Sequence, residues 1–213
     1  MIKNLFWDLD GTLTDSSEGI LNSVKLVFEQ FGIHGYEEQE LTCFIGPPLR
    51  ESFPKFGIEA SRIEEAIEVF RGRYTTIGKF ENRPYDGIRE LLGKLKAEDF
   101  RLFVATSKPE ETAKQILDKF NLTQYFEIIC GATMDGRIDT KEEVIRYLLS
   151  VLGDTKEALM IGDTKYDVRG AAVFGIDTVG VTWGFGSREE LLAAGAAKVV
   201  DSMDELYTVL TKG

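Results

Sequence analysis

The sequence predicts an α/β fold, a doubly wound parallel sheet interrupted near its start by an all-helical insertion. Three observations carry this. An apolar run, Leu5-Phe6-Trp7, opens the chain and delivers Asp8 and Asp10 to a turn at Gly11. From Asn82 onward, short apolar runs alternate with stretches at helical spacing, the rhythm of a parallel sheet covered on both faces. Between the two, residues 15–81 show helical periodicity alone.

The elements follow in order. After the first strand, Ile20, Leu21, Val24, Val27, Phe28 and Phe31 recur at helical spacing until Gly32 ends the pattern. Residues 37–56 are broken by Gly46-Pro47-Pro48 and Pro54. A second amphipathic helix is marked by Ile63, Ala66, Ile67, Phe70, Tyr74 and Ile77. A turn at Pro84-Tyr85-Asp86-Gly87 leads into a helix carrying Ile88, Leu91, Leu92 and Leu95 and then the strand Leu102–Ala105. Helices over 109–120, 141–152, 166–174 and 187–194 then precede strands over 126–130, 158–161, 178–181 and 198–200. The expected division is a core domain of residues 1–14 and 82–213 that carries the catalytic site, with residues 15–81 as a helical cap.

The chain has 213 residues, enough for one substantial core with a small insert. A net charge of -11 argues against nucleic acid or an anionic membrane surface as a bulk partner. No apolar run approaches the roughly 20 residues of a membrane span. Cys43 and Cys130 lie far apart without metal-ligand spacing, and the chain opens on a strand, so a reduced, cytoplasmic protein is expected. His34 is the only histidine and falls in an expected turn, which disfavours a histidine triad or a zinc cluster.

Four places fall where a predicted strand ends, and so face one edge of the sheet. The first is Asp8 with Asp10. Alternate residues of a strand share a face, so the two carboxylates can converge, and a hard divalent cation is their natural companion. The second is Thr106-Ser107, with Pro109 placed for the first turn of a helix; a hydroxyl beside helix amides is an anion site, although Ser107 also reads as a plain N-cap. The third is Lys141, at a helix start that the macrodipole disfavours. The fourth runs from Gly162-Asp163 to Asp167. A helix starting at Asp163 or Thr164 sets both acids on one face of its first turn.

In their order along the chain these motifs resemble those of the haloacid dehalogenase superfamily of phosphotransferases. Asp8-Leu9-Asp10-Gly11-Thr12 is similar to its first motif, Thr106 to its second, Lys141 to its third, and Gly162-Asp163 through Asp167 to its fourth. Asp10 through Ser16, the helical insert and Gly46-Pro47-Pro48-Leu49 most resemble the phosphoglycolate phosphatase group. Ser107 stands where many relatives carry Asn, and Asp139-Thr140 precede Lys141 where a Lys-Pro pair is usual, which keeps Lys108 and Lys165 as alternatives to Lys141.

The resemblance implies a Rossmann-like core and phosphate-ester hydrolysis through an aspartyl-phosphate. Asp8 is the implied nucleophile, and Asp10 the acid for the leaving oxygen and then the base for water. Magnesium is the implied cofactor, held by Asp8, the backbone carbonyl of Asp10 and Asp163, with Asp167 acting through water or by orienting Lys141. Thr106 and nearby amides bind phosphoryl oxygens and Lys141 offsets developing charge. A dehalogenase needs no acid for an alkoxide, so Asp10 and Asp163 argue for a phosphatase. Arg50 in the rigid Ile45–Arg50 segment and Lys108 are candidates for reading the rest of the substrate, while Trp7, Trp183 and Phe185 read as packing residues.

The expected partner is a small phosphorylated metabolite, phosphoglycolate or a nucleoside monophosphate, with the protein a monomer or homodimer. A phosphosugar mutase of the beta-phosphoglucomutase kind is the close alternative. A receiver-type signalling module is the non-enzyme alternative, but it is about half as long and lacks the insert.

Overall fold

The computed structural model describes residues 3–153 and 157–212. In chain order the elements are β1 (Asn4–Trp7), β2 (Thr14–Asp15), α1 (Ser17–Phe31), α2 (Leu49–Ser52), α3 (Ile63–Tyr74), β3 (Arg83–Pro84), α4 (Ile88–Ala97), β4 (Arg101–Pro109) and α5 (Glu110–Lys119). They continue as β5 (Ile128–Ala132), α6 (Lys141–Leu152), β6 (Ala158–Gly162), α7 (Lys165–Ala172), β7 (Asp177–Val181), α8 (Arg188–Ala194), β8 (Lys198–Val200) and α9 (Met203–Lys212).

Six strands form a parallel sheet in the order β5-β4-β1-β6-β7-β8, and β2 pairs with β3. Chain order runs outward from β1 in both directions, so the crevice that an open α/β sheet offers to ligands lies beyond the carboxyl end of β1. Trp7 registers with Val104 on one side and Ile161 on the other, which brings the residues that follow all three strands to one edge.

Alternation along β1 sends its side chains to two cores. Leu5 and Trp7 pack with Leu92 and Leu95 of α4, Ile116 and Leu117 of α5, and Leu206 of α9. Phe6 packs on the other face with Phe103, Cys130, Met160 and the α6 residues Val144, Ile145 and Leu148. Trp7 is thus a core residue, and the sheet is wound on both faces.

The chain divides into two compact units, Met1–Thr14 with Pro84–Gly213, and Asp15–Arg83. The second unit is helical. In it α1 buries Val24, Val27 and Phe28 and stops at Gly32, whose left-handed φ of 66° suits a residue without Cβ. Phe28 meets Phe44 and Phe56 ring to ring, and Arg73 forks onto Glu81 at 2.7 and 2.8 Å. His34 is exposed beyond the end of α1.

Several boundaries differ from expectation. β5 starts at Ile128, because Thr123–Tyr125 form a single 3-10 turn that leaves Phe126 packed against the core ahead of the strand. β4 runs through Ser107 to Pro109 with a register shift after Thr106, so Pro109, not Ser107, takes the N-cap place of α5. The helix α9 was not among the expected elements.

Candidate active site

The site forms where β1 gives way to a tight turn. The Asp8 amide donates to the Ile161 carbonyl at 2.9 Å, the last ladder contact on that side, and Leu13 N returns to Leu9 O at 2.9 Å. Gly11 takes φ +82° in this turn, and a Cβ there would stand 2.1 Å from Asp163 Oδ2. Only glycine meets both demands.

Asp8, Asp163 and Asp167 are buried, and each offers a carboxylate oxygen within 4.8 Å of the others. Lys141 reaches them from the first residue of α6, a start fixed by the reciprocal Thr140 and Glu143 capping box. Its Nζ lies 2.7 Å from Asp8 Oδ1 and 2.8 Å from Asp167 Oδ1, and donates to the Ala105 carbonyl at 2.8 Å. The unfavourable position at a helix start is therefore offset by two carboxylates and a carbonyl. Lys165, the other alternative, lies 3.8 Å from Glu190 instead.

Asp163 and Asp167 arrive differently from the expected single helical face. Thr164 is the N-cap of α7 and accepts Asp167 into its own capping box, so Asp163 stands outside the helix at the end of β6. Asp167 Oδ2 accepts from the Thr164 amide at 3.0 Å and from its hydroxyl at 2.9 Å, while Oδ1 faces Lys141. Oδ2 of Asp167 is thereby taken up by hydrogen bonds, and Oδ1 is ion-paired to Lys141 without accepting a hydrogen bond among the described residues.

Asp163 is held by two groups that the sequence reading left without a role there. The Thr12 hydroxyl donates to its Oδ1 at 3.0 Å and the Phe185 amide to its Oδ2 at 2.9 Å. Trp183 Nε1 donates to the Thr12 carbonyl at 3.1 Å, tying the loop after β7 to the turn after β1. Trp183 and Phe185 therefore do more than pack. The glycines at 184 and 186 were the visible signal, since a Cβ on Gly184 would fall 2.4 Å from the Asp163 side chain.

Asp10 stands apart from the three-acid group, its Oδ2 2.8 Å from Lys108 Nζ. Thr106 is buried at the end of the regular part of β4, and its Oγ1 accepts from the Lys108 amide at 3.2 Å. Ser107, half-buried, lies between them. Arg50 belongs to the helical unit. It is exposed and forks onto Glu64 within the helical unit.

Electrostatics follow from burial. Desolvation drives the Asp8 carboxyl up to about 7, Lys141 opposing and Asp167 and Asp10 adding to the rise. Burial, with the charges of Asp167 and Asp8, likewise pushes Asp163 well above the usual carboxylate range. Burial favours the neutral form of Lys141, but the charges of Asp167 and Asp8 more than reverse that and hold its pKa above the usual lysine range. With all four carboxylates ionised, Asp8, Asp10, Asp163 and Asp167 outnumber Lys141 and Lys108 by two charges, which adds to burial in driving the Asp8 and Asp163 carboxyls up. That excess of negative charge, on hard oxygen donors, fits a divalent cation of the magnesium or calcium kind.

Residues 5–181 match the family described as haloacid dehalogenase-like hydrolase. A 5'-nucleotidase of Pseudomonas aeruginosa is 43% identical over 192 residues, covering 89% of this chain and 87% of that protein. The tyrosine-protein kinase PtkA of Mycobacterium tuberculosis is 41% identical over 210 residues, covering 97% of this chain and 72% of the kinase. The crystal structure of a predicted phosphatase from Clostridium acetobutylicum superposes with a TM-score of 0.95 at 45% identity, covering 100% of both chains.

Proposed function

The chain belongs to the haloacid dehalogenase-like hydrolases as a phosphoric monoester hydrolase, and we propose that it hydrolyses small phosphate monoesters through a phosphorylated Asp8 with magnesium as cofactor. The observation that carries this is the convergence of Asp8, Asp163 and Asp167 beyond the carboxyl end of β1, with Lys141 ion-paired to Asp8 and Asp167. Asp8, the Asp10 carbonyl and Asp163 would hold the ion, and Asp167, ion-paired through Oδ1, orients Lys141. The bound ion supplies positive charge beside the phosphoryl oxygens.

The chain's own groups do the rest. Lys141 holds Asp8 Oδ1, leaving Oδ2 to attack phosphorus in line with the ester oxygen. Asp10 gives its proton to the departing oxygen and then takes one from the water that releases phosphate. Thr106 and the amides after it receive phosphoryl oxygens, with Ser107 beside them. The unit Asp15–Arg83 is assigned the role of a cap that sets specificity, and Arg50 is its candidate cation for the remainder of the substrate.

Among substrates, nucleoside monophosphates stand first, because a relative 43% identical over most of its length is a 5'-nucleotidase. Phosphoglycolate, suggested by the motif pattern, is second. The kinase relative marks phosphoryl transfer to another acceptor as the contrasting outcome. A panel of nucleoside 5'-monophosphates, phosphoglycolate and sugar phosphates is expected to release inorganic phosphate with magnesium and none in excess chelator. Full activity in chelator would contradict the metal role of Asp163.

The pH dependence of metal binding follows from Asp8. Burial pushes its carboxyl up to about 7, and it must be ionised to bind. Magnesium affinity is therefore expected to rise with pH by at least roughly tenfold per unit up to about 7, with proton release over the same range, Asp163, also pushed up by burial, adding to the rise. Calorimetric titrations in two buffers of different ionisation enthalpy read both quantities. Affinity that stays flat from acid to alkaline pH would exclude Asp8 as a ligand.

A further inference from the structure

We infer that Lys108 is a positioning residue for Asp10, an assignment that rests on the phosphatase reading and deepens it. Lys108 Nζ lies 2.8 Å from Asp10 Oδ2, and the two side chains are only 5% and 17% exposed. The Lys108 backbone is fixed too, since its amide donates to Thr106 Oγ1 at the register shift within β4. Asp10 Oδ1, by contrast, is buried and accepts no hydrogen bond among the described residues. One oxygen of Asp10 is anchored and the other is uncommitted, the geometry of a carboxyl aimed for proton exchange.

Lys141 cannot serve this purpose, because its ammonium is taken up by Asp8, Asp167 and the Ala105 carbonyl. The two lysines divide the work: Lys141 supports the nucleophile and the metal-side acid, and Lys108 supports the proton-transfer group. Lys108 therefore acts through Asp10, and neither replaces Lys141 nor reads the far end of the substrate.

Asp10 acts in both half-reactions. In the first, Asp8 Oδ2 bonds to phosphorus, the ester P–O bond breaks with its electron pair on the leaving oxygen, and Asp10 protonates that oxygen. In the second, water oxygen bonds to phosphorus, the P–O bond to Asp8 breaks with its pair returning to the carboxylate, and the water proton goes to Asp10. With p-nitrophenyl phosphate the leaving phenolate needs no proton, so misplacing Asp10 spares the first half-reaction and slows the second.

The test is rapid-mixing kinetics of the full chain with magnesium and p-nitrophenyl phosphate. Lys108→Met is expected to give a burst of about one equivalent of p-nitrophenol per chain, then turnover roughly a hundredfold below wild type, with Lys108→Arg recovering much of the steady rate. Lys108→Gln is read in the same way, so the result does not hang on one variant folding. A raised KM at unchanged kcat would make Lys108 a substrate contact and overturn the inference. Slower turnover without a burst in a folded variant, or unchanged turnover, would overturn it as well. Wild-type protein that releases no phosphate from any ester defeats the phosphatase reading itself. An active wild type beside variants without a burst defeats only the role of Lys108.

Discussion

Asp8→Asn is expected to abolish phosphate release, by a factor of roughly 10⁴ or more, while leaving the melting temperature at or slightly above that of the wild type. An amide is no nucleophile toward phosphorus, and every other group of the site acts on a phosphoryl that Asp8 must first accept. The fold does not depend on the charge. Burial has already pushed the Asp8 carboxyl up to about 7, with Asp167 and Asp10 adding repulsion, so a neutral side chain of equal size relieves the cluster. Lys141 keeps Asp167 and the Ala105 carbonyl as partners. Substantial turnover in the purified, folded variant would remove Asp8 from the centre of the mechanism.

Lys141→Ala is expected to fail on both counts, losing activity and stability together. The lysine ammonium is buried, and its loss strands Asp8 and Asp167 without their shared cation, with Asp163 adding its charge beside them. Removing one partner of a buried ion pair costs about 3–5 kcal/mol, which for a domain of this size lowers the melting temperature by roughly 10 °C. The sign of the pH dependence follows from linkage. Carboxyls whose native pKa values lie above the unfolded ones destabilise the fold as pH rises through the interval, so the deficit is largest above pH 7 and shrinks near pH 5, where protons replace the missing cation. Saturating magnesium is expected to recover part of it. Melting curves at the two pH values, with and without magnesium, check this. A variant as stable as the wild type in chelator at pH 8 would show that Lys141 carries no such charge balance.

Much of the architecture was legible because burial writes itself into spacing. The apolar run at Leu5-Phe6-Trp7 and the alternation of strand and helix after Asn82 fix a parallel sheet, and a parallel sheet brings its strand ends to one edge. That is why strand-end position alone points to Asp8, Asp163 and Asp167 as neighbours, with Lys141 beside two of them and Asp10 on Lys108. The details that escaped depend on local competition or on backbone groups. The Thr164 hydroxyl captures the cap of α7 and pushes Asp163 out of the helix. A register shift carries β4 past Ser107. The Phe185 amide that holds Asp163 has no side-chain signature. Arg50 stands in a rigid Pro-Pro segment, yet the sequence gives no sign that Glu64 will meet it. The helix α9 does carry a signal in the sequence, since Met203, Leu206 and Leu210 recur at helical spacing and pack against the core.

The most direct measurement is mass spectrometry of the chain quenched in acid during turnover with magnesium and a reactive phosphate ester. A single phosphoryl group on the peptide containing Asp8, absent from Asp8→Asn and lost when turnover ends, is the expected result. Phosphate released at full rate with no phosphoryl group on that peptide at any quench time, or with the group on another residue, would contradict the account.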